Sequence, residues 1–301
     1  MDKSNDKGYQ VINGDSIDVL KGFPDNFFDS VVTDPPYGIQ LLGKEWDYDV
    51  PKADFWKEVY RVVKPGSYLL AFSAPRTYHR ATIEIEDAGF TIADQLQWMI
   101  TTKMPSGNNL KPCHEPITLA QKPVEGTIKS NFEKYGVGYI NTTDTRIPWE
   151  GKPPKGWVKG GHQRRHFGDE GKTTGNKKDN GTVDANPNGR YPSNIIGLFD
   201  NTDHQKYFYA PRVSSKERGT GNNHPSPKPV DLMKYLITLV TPKGGKVLDP
   251  FNGSGSTGLG AMQAECEYVG IEMDKDYVEI SNNRLQAQEK ELNIPSNSLF
   301  T

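Results

Sequence analysis

Short runs of apolar and β-branched residues alternate with amphipathic stretches in the first part of the chain. The runs predict three strands, at residues 9–15, 29–34 and 67–73. Between the second and third runs, apolar side chains recur on one helical face from residue 52 to residue 64, and Pro65 with Gly66 is expected to end that helix. Such a helix is expected to cover one face of a sheet.

The same alternation returns in the last part of the chain. Periodicity predicts helices at residues 230–240, 256–264 and 274–290, and strands at residues 246–249 and 268–272. These strands make only one unit of a parallel sheet, and a parallel sheet with helices on both faces needs more strands than that. Both ends of the chain are therefore predicted to build one mostly parallel α/β sheet.

The middle of the chain has a different character. Residues 123–223 are rich in Gly, Asn, Lys, Pro and Thr, carry scattered aromatic residues and show little periodicity. We interpret them as an insertion into the sheet-forming part. The predicted organisation is one half-domain at residues 1–122, the insert at residues 123–223 and a second half-domain at residues 224–301.

Charge is distributed unevenly along the chain. The formal net charge is -2, but residues 103–228 carry 20 Lys and Arg against 12 Asp and Glu. A basic middle favours a polyanionic partner such as nucleic acid, although a solvated basic loop is the alternative. Cys113 and Cys266 are the only cysteines, and no apolar leader or long apolar run occurs, so a reducing cytoplasm is the expected location and no metal site is predicted.

A glycine-rich segment joins a predicted strand to a predicted helix. It comprises Asp249, Pro250, Phe251, Asn252, Gly253, Ser254, Gly255, Ser256 and Thr257, and Glu272 ends the next predicted strand. Glycines in such a turn let the backbone approach a ligand closely, and an acid at the following strand end can accept hydrogen bonds from ribose hydroxyls. The segment therefore predicts a nucleoside-cofactor site.

The identity of this cofactor is less clear from the segment alone. The Gly-Lys-Ser/Thr of a Walker A loop is missing, but Gly253 to Gly258 also fits the GxGxxG pattern of dinucleotide sites. Only one helix and a tail follow Glu272, whereas a dinucleotide fold would need further strands. S-adenosylmethionine is thus favoured, with NAD and a purely structural glycine turn as alternatives.

A second candidate site follows the predicted strand at residues 29–34. Asp34, Pro35, Pro36 and Tyr37 are delivered to the carboxyl edge of the sheet, where ligands bind in open α/β folds. Two prolines fix the backbone, so that the Asp34 carboxylate, a free carbonyl and an aromatic ring hold a rigid mutual geometry. Asp34 and the Pro35 carbonyl can accept both N–H groups of an aromatic amine and stabilise the charge of methyl transfer. A Pro-rich turn without catalytic function is the alternative.

The two segments together resemble the amino-methylating DNA methyltransferases. That family is marked by (D/N/S)PP(Y/F/W), which Asp34 to Tyr37 match in full, and by FxGxG, which Phe251 to Gly255 match. The order of catalytic motif, insert and glycine loop resembles the β group of the family. The resemblance implies a Rossmann-like S-adenosylmethionine-dependent methyltransferase fold in which the insert is the target recognition region on double-stranded DNA.

The resemblance also implies roles for individual residues. Asp15 would contact the adenine end of the cofactor, Glu272 the ribose, Asp249 with the glycine loop the amino acid portion, and Lys228 the methionine end. A helix cap and a surface charge are the alternatives for Asp15 and Lys228. Tyr37 would stack on a base flipped out of the duplex. Arg164 and Arg165 in the basic insert are candidate DNA contacts.

Asp at the first motif position resembles the adenine-N6 enzymes, whereas cytosine-N4 enzymes more often carry Ser there. The expected activity is therefore site-specific methylation of adenine N6, with cytosine N4 as the alternative. An NAD-dependent oxidoreductase, a noncatalytic nucleic-acid-binding module, and RNA or protein amines as substrates are kept as further alternatives. A homodimer is expected because members of the group often dimerise, and a restriction-linked, solitary or phage role stays open.

Overall fold

The structure is a computed structural model that describes residues 8–40, 43, 47–100, 110, 112–149, 151–152, 157–158, 182–183, 185–197 and 227–292. One large sheet dominates the described part of the chain. Its strands are β1 (Tyr9–Asn13), β2 (Phe28–Thr33), β3 (Val63–Phe72), β4 (Thr91–Met99), β5 (His114–Gln121), β8 (Ile195–Ile196), β9 (Lys246–Asp249) and β10 (Glu267–Glu272). A separate antiparallel pair is formed by β6 (Trp157–Val158) and β7 (Thr182–Val183).

The strand order in the large sheet is β1-β10-β9-β2-β3-β5-β4-β8. Neighbouring strands run parallel except at β5, which is antiparallel to both β3 and β4. β9 and β2 lie side by side although more than 200 residues separate them in the sequence. The prediction that both ends of the chain build one mostly parallel sheet is therefore confirmed.

Helices cover both faces of the sheet. They are α1 (Ser16–Leu20), α2 (Ala53–Val62), α3 (Tyr78–Asp87), α4 (Ile128–Tyr135), α5 (Val230–Val240), α6 (Ser256–Gln263) and α7 (Lys275–Leu292). Adjacent strand residues alternate between two cores: Val31 packs with α1, α2 and α3, whereas Val32 packs with α5, α6 and α7. β2 and most of β3 are buried on both faces, and this includes polar residues such as Ser30 and Thr33.

The predicted helix at residues 52–64 ends earlier than expected. α2 stops at Val62, and Val63 already has extended backbone and pairs with Phe28 of β2. Pro65 and Gly66 lie inside β3 rather than after the helix, at a place where the register of β2 with β3 shifts. Pairing with a neighbouring strand overrides the helical periodicity of the last two residues.

Part of the predicted insert packs against the large sheet. The amide of Asn131 in α4 donates to the Pro65 carbonyl at 2.9 Å, and Ile196 of β8 pairs with Trp98 and is buried in the core. The insert boundaries at residues 123 and 223 stay a prediction. Within the described ranges, no helix is long and apolar enough to cross a membrane, and His, Cys, Asp and Glu form no group suited to hold a metal ion.

The topology fixes where a ligand can bind. From the adjacent strands β2 and β9 the chain proceeds in opposite directions across the sheet, to β3 on one side and to β10 on the other. A crevice opens at the carboxyl ends of two such strands, and open α/β sheets bind their ligands there. Asp34 directly follows β2 and Asp249 ends β9, so both candidate segments meet at this crevice.

Candidate active site

The two predicted segments are joined by a direct hydrogen bond. Thr33, the last residue of β2, donates from Oγ1 to Oδ1 of Asp249 at 2.7 Å. The cleft between the segments is lined by Asp34, Pro227, Lys228, Asp249 and most of the loop between Phe251 and Thr257. Residues from both ends of the chain thus form one site.

The tetrapeptide turn is held by charged and polar side chains. The Tyr37 hydroxyl donates to Asp34 Oδ1 at 2.7 Å, and the Lys228 ammonium forms an ion pair with Asp34 Oδ2. The side chain of Lys228 is only 5% exposed, so this lysine is not a surface charge, the alternative considered for it from the sequence. Both carboxylate oxygens of Asp34 are therefore oriented by neighbours in the apoprotein.

A further acid, Glu115, completes this arrangement. It lies at the start of β5, and its Oε2 is 3.1 Å from the Tyr37 hydroxyl and 3.5 Å from the Lys228 ammonium. Because β5 is antiparallel to β3, its first residues reach the edge at which β2 ends. We refer to Asp34, Tyr37, Glu115 and Lys228 as the cleft quartet.

Sequence reasoning missed Glu115. The signal available was a single acid at the start of the apolar run Pro116–Gln121, but its place in the site depends on the antiparallel direction of β5, which the sequence pattern did not reveal.

The environment of the quartet changes the ionisation of its members. Burial raises the pKa of Tyr37 well above its ordinary value, and the negative charges of Asp34 and Glu115 raise it further, so the phenol stays protonated. Burial disfavours the charged form of Lys228, but its attraction to Asp34 and Glu115 outweighs this effect and raises the pKa of the lysine. Lys228 is therefore a buried cation between two acids.

The backbone that follows the two prolines is anchored by Asp47. The Asp47 carboxylate accepts backbone N–H bonds from Tyr37 at 2.6 Å, Gly38 at 2.9 Å and Ile39 at 3.3 Å, and its side chain is buried. One carboxylate thus satisfies three successive donors, which fixes the turn that carries Tyr37. Asp47 was also missed, because contacts between a side chain and a distant backbone leave no periodic pattern in the sequence.

The glycine loop is held by close packing, by hydrogen bonds of Asn252 and by Arg284 of α7. Gly255 has a φ of 83° and precedes α6, and a Cβ at this position would lie 2.3 Å from Ser281 Oγ. Asn252 Oδ1 accepts from the Tyr268 hydroxyl at 2.9 Å and from Ser281 at 3.3 Å. Arg284 in α7 donates to both the carbonyl and the hydroxyl of Ser254. Close packing against Ser281 therefore requires glycine at position 255.

Glu272 lies beside this loop, as predicted for an acid at the end of the next strand. Its Oε2 accepts the backbone N–H of Gly253 at 2.8 Å, and its Oε1 accepts that of Asp274 at 2.9 Å. Burial raises the pKa of Glu272, and the two backbone donors oppose that shift. A carboxylate held in this way retains further acceptor capacity on each oxygen for hydroxyl donors.

Asp249 is the most deeply buried acid of the glycine loop segment. Its side chain is 1% exposed, and burial raises its pKa to about 6, although bonds from Thr257, Thr33 and the Phe251 amide oppose the shift. Burial thus favours the protonated form of Asp249 more than it does for an exposed aspartate.

Asp15 acts as a helix cap in the structure. Its Oδ1 accepts the backbone N–H groups of Ile17 at 2.9 Å and Asp18 at 3.3 Å at the start of α1. The neighbouring Ser16 donates to the Pro250 carbonyl at 2.6 Å, which brings α1 to the glycine loop. A cofactor contact of Asp15 stays a prediction. Arg164 and Arg165 lie outside the described residues.

A family model for DNA methylases of the N6/N4 type matches residues 28–283, and this match includes both candidate segments. Two curated relatives are similar over most of their length. The Type II methyltransferase M.ScaI of Streptomyces caespitosus is 28% identical over 290 residues, which covers 94% of this chain and 83% of that protein. The Type II methyltransferase M.HindIII of Haemophilus influenzae is 25% identical and covers 91% of this chain and 94% of that protein.

Solved structures share the fold at lower identity. The PvuII DNA methyltransferase, described as cytosine-N4-specific, aligns with a TM-score of 0.57 and 18% identity over 96% of this chain and 94% of that chain. A modification methylase of Thermus thermophilus, TTHA0409, solved in complex with S-adenosyl-L-methionine, aligns with a TM-score of 0.54 and 20% identity over 93% of this chain and 94% of that one. The Rossmann-like methyltransferase fold expected from the sequence is confirmed.

Proposed function

The chain belongs to the N6/N4 DNA methylase family, and from this premise we propose that it transfers the methyl group of S-adenosylmethionine to N6 of an adenine in double-stranded DNA. The observation that carries the proposal is the exposure of Asp34. Its side chain is 25% exposed at the cleft, whereas those of Lys228 and Glu115 are 5% and 3% exposed. Among the charged members of the quartet, Asp34 is thus the one that a substrate can reach.

The cleft fits S-adenosylmethionine by the chemistry of its donors and acceptors. Glu272 retains acceptor capacity for ribose hydroxyls, and the glycine loop with Asp249 offers a closely approachable backbone for the amino acid portion. Lys228 is proposed for the methionine end and Asp15 for the adenine end. When bound, S-adenosylmethionine supplies an electrophilic methyl group on a positively charged sulfur.

The tetrapeptide supplies the chemistry at the target amine. Asp34 and the Pro35 carbonyl accept its two N–H bonds, which concentrates electron density on nitrogen and stabilises the positive charge that develops there. Lys228 and Tyr37 hold the Asp34 carboxylate in one orientation before the substrate arrives, so little reorganisation is needed. Pro36 restricts the backbone, and the ring of Tyr37 forms one wall for a base flipped out of the duplex.

Adenine is proposed as the target because Asp34 occupies the first motif position. Cytosine N4 is the second candidate, and it is favoured by the fold shared with the cytosine-N4-specific PvuII enzyme. The two bases offer the same amine chemistry to the tetrapeptide. The oxidoreductase and the noncatalytic binding module are set aside because the family is one of DNA methylases.

The basic insert is proposed as the DNA-reading region. Arg164 and Arg165 are expected to contact phosphates, so replacing both with Ala should weaken DNA binding severalfold and reduce the slope of log K against log salt by about 2. Cofactor affinity should stay unchanged in calorimetry. An unaltered salt slope would mean that residues other than Arg164 and Arg165 contact the DNA phosphates. Replacing Lys21 and Lys57 with Ala provides a matched loss of two exposed charges outside the insert.

The biological role is proposed to be DNA modification in a restriction-modification system, because the matched relatives are Type II methyltransferases. A homodimer and a cytoplasmic location remain predictions that accompany this role.

Nucleoside mass spectrometry tests the function. The purified protein is incubated with labelled S-adenosylmethionine and unmethylated genomic DNA, and the DNA is digested to nucleosides. Labelled N6-methyladenine is the expected product. Labelled N4-methylcytosine would keep the mechanism but replace the base, and unmodified DNA would contradict the proposed function.

A further inference from the structure

One hydroxyl of the cleft quartet faces two acceptors. The Tyr37 hydroxyl lies 2.7 Å from Asp34 Oδ1 and 3.1 Å from Glu115 Oε2, yet it carries a single hydrogen. Both partners are carboxylates that accept hydrogen bonds when ionised. The phenol therefore forms a bridge along which a proton can pass from one acid to the other.

The formal charge of the quartet points to the direction of that transfer. With Asp34 and Glu115 ionised and Lys228 protonated, the group carries a net charge of about -1, with Glu115 and Lys228 almost fully buried beneath Asp34. A sulfonium bound at the cleft balances this charge before methyl transfer. After transfer the sulfur is neutral, so one proton retained by the quartet would restore the balance.

We propose that Glu115 takes up the proton that the target amine loses, and that the Tyr37 hydroxyl passes this proton on from Asp34. The inference rests on the proposed function. The nitrogen lone pair forms the new N–C bond, the S–C bond breaks with its electron pair left on sulfur, and the amine gives one N–H proton to Asp34. Tyr37 accepts that proton and gives its own hydrogen to Glu115, so that Asp34 is again ionised and paired with Lys228.

The other buried acids near the quartet are bonded differently. Asp249 accepts from Thr33 and from the Phe251 amide, and Asp47 accepts the backbone N–H groups that follow Pro36. Glu115 is instead bonded to the hydroxyl that also reaches Asp34. This shared partner makes Glu115 the acceptor that is connected to the reacting amine.

Single-turnover methyl transfer in Glu115→Gln, Tyr37→Phe and the double variant tests the proposal. Gln keeps the shape and an acceptor oxygen but is not a base, and Phe keeps the ring but removes the bridge. Each single variant should slow transfer by about 100-fold, which is the lower range for proton transfer by a positioned side chain. The double variant should be no slower than the slower single variant, because the two residues act as one unit.

The controls separate this role from a structural one. Cofactor affinity should change little in both single variants, and the thermal unfolding midpoint is recorded because Glu115→Gln removes one of the two acids beside the buried Lys228. Glu267 is partly buried, pairs with Lys246 and lies where β10 begins, at the end of the strands away from the cleft. Glu267→Gln is therefore a control whose transfer rate should match that of the wild type. An infrared band of a protonated carboxylic acid should appear in the wild-type product complex and be absent in Glu115→Gln.

Several outcomes would overturn the inference. They are a wild-type transfer rate in Glu115→Gln, losses that multiply in the double variant, and a wild-type product complex without the carboxylic acid band. A second double variant combines Glu115→Gln with Lys228→Met. If the rate losses of Glu115→Gln multiply with those of Tyr37→Phe but not with those of Lys228→Met, Glu115 acts by anchoring the lysine and not as a proton acceptor. Failure of the wild type to methylate DNA would refute the proposed function and this inference together, whereas a methylating wild type with an unimpaired Glu115→Gln refutes the inference alone.

Discussion

The tetrapeptide turn and the glycine loop follow adjacent parallel strands at one edge of the sheet, but they are fixed by different forces. The turn after β2 is held by buried charges, with Lys228 and Glu115 on one side and Asp47 behind its backbone. The loop after β9 is held by close packing around Gly255 and by hydrogen bonds of Asn252, and the side chains of Glu272 and Arg284 bond to its backbone from neighbouring elements. The first region should therefore be sensitive to charge and the second to volume.

This difference matches the chemistry proposed for each region. Charge develops on the target amine during methyl transfer, so the groups around it must be charged and oriented in advance. A cofactor that is only bound needs a backbone that it can approach closely, which small residues provide. Substitutions that change charge without size, or size without charge, can separate the two regions experimentally.

The largest effect is expected for Asp34→Ala. Loss of the carboxylate removes the acceptor for the target amine, so turnover should fall by at least about 1000-fold, while the cofactor dissociation constant changes by no more than a few fold. Single-turnover kinetics and calorimetry measure the two quantities. Asp54→Ala removes an exposed carboxylate of α2 and should leave both unchanged.

Asp34→Ala also leaves the Lys228 ammonium with one fewer partner in a buried position, so the unfolding midpoint should be recorded alongside the kinetics. If cofactor binding were lost to the same extent as turnover, Asp34 would belong functionally to the loop and the contrast between the two regions would fail.

A smaller but still large effect is expected for Gly255→Ala. The added methyl group would lie 2.3 Å from Ser281 Oγ, on backbone with a φ of 83°. Relief of this overlap must move the loop or α7, so cofactor affinity should fall by about 100-fold. The chemical step at saturating cofactor should change far less.

Gly244→Ala is the matched control for that variant. Gly244 has a φ of 72°, and no atom lies within 4 Å of a Cβ added there. Ala at this position therefore introduces left-handed backbone strain without a steric overlap. Ser281→Gly in the Gly255→Ala background removes the obstructing side chain and should restore part of the affinity. Equal affinity losses in Gly244→Ala and Gly255→Ala would show that general destabilisation, and not the overlap with Ser281, lowers the affinity.

The same contrast explains which parts of the molecule the sequence predicted. The strands and helices around the glycine loop arise from local periodicity, and Gly255 and Glu272 belong to a contiguous pattern that can be read directly. Asp34 to Tyr37 were equally visible, and the placement of both ends in one sheet followed from the number of strands each end provides. These features depend on short-range order in the chain.

Glu115 and Asp47 could not be found in this way. Glu115 reaches the site because β5 runs antiparallel beside β3, and the strands at residues 91–99 and 114–121 were not predicted. Asp47 acts on the backbone of a turn about ten residues away. Their roles depend on long-range pairing and on buried electrostatics, neither of which has a period in the sequence.

The smallest effect is expected for Asp249→Asn. This variant tests whether the ionised form of Asp249 destabilises the folded protein. The folded-state pKa of about 6 lies above the ordinary value of 3.8, so folding favours the protonated acid. The resulting stabilisation is complete below pH 3.8 and is lost as the pH rises through about 6. Asn keeps an acceptor oxygen for Thr33 and for the Phe251 amide but cannot ionise.

The unfolding free energy of the apoprotein, relative to that of Asp249→Asn, should therefore fall by roughly 1–2 kcal/mol between about pH 4.5 and pH 7.5. Denaturant unfolding at several pH values measures this difference. For Asp54→Asn the dependence should have the opposite sign, because the bond from Lys57 lowers the pKa of Asp54. A flat difference for Asp249→Asn would mean that the loop accommodates the ionised acid, and the division between a charge-held turn and a packing-held loop would then have to be abandoned.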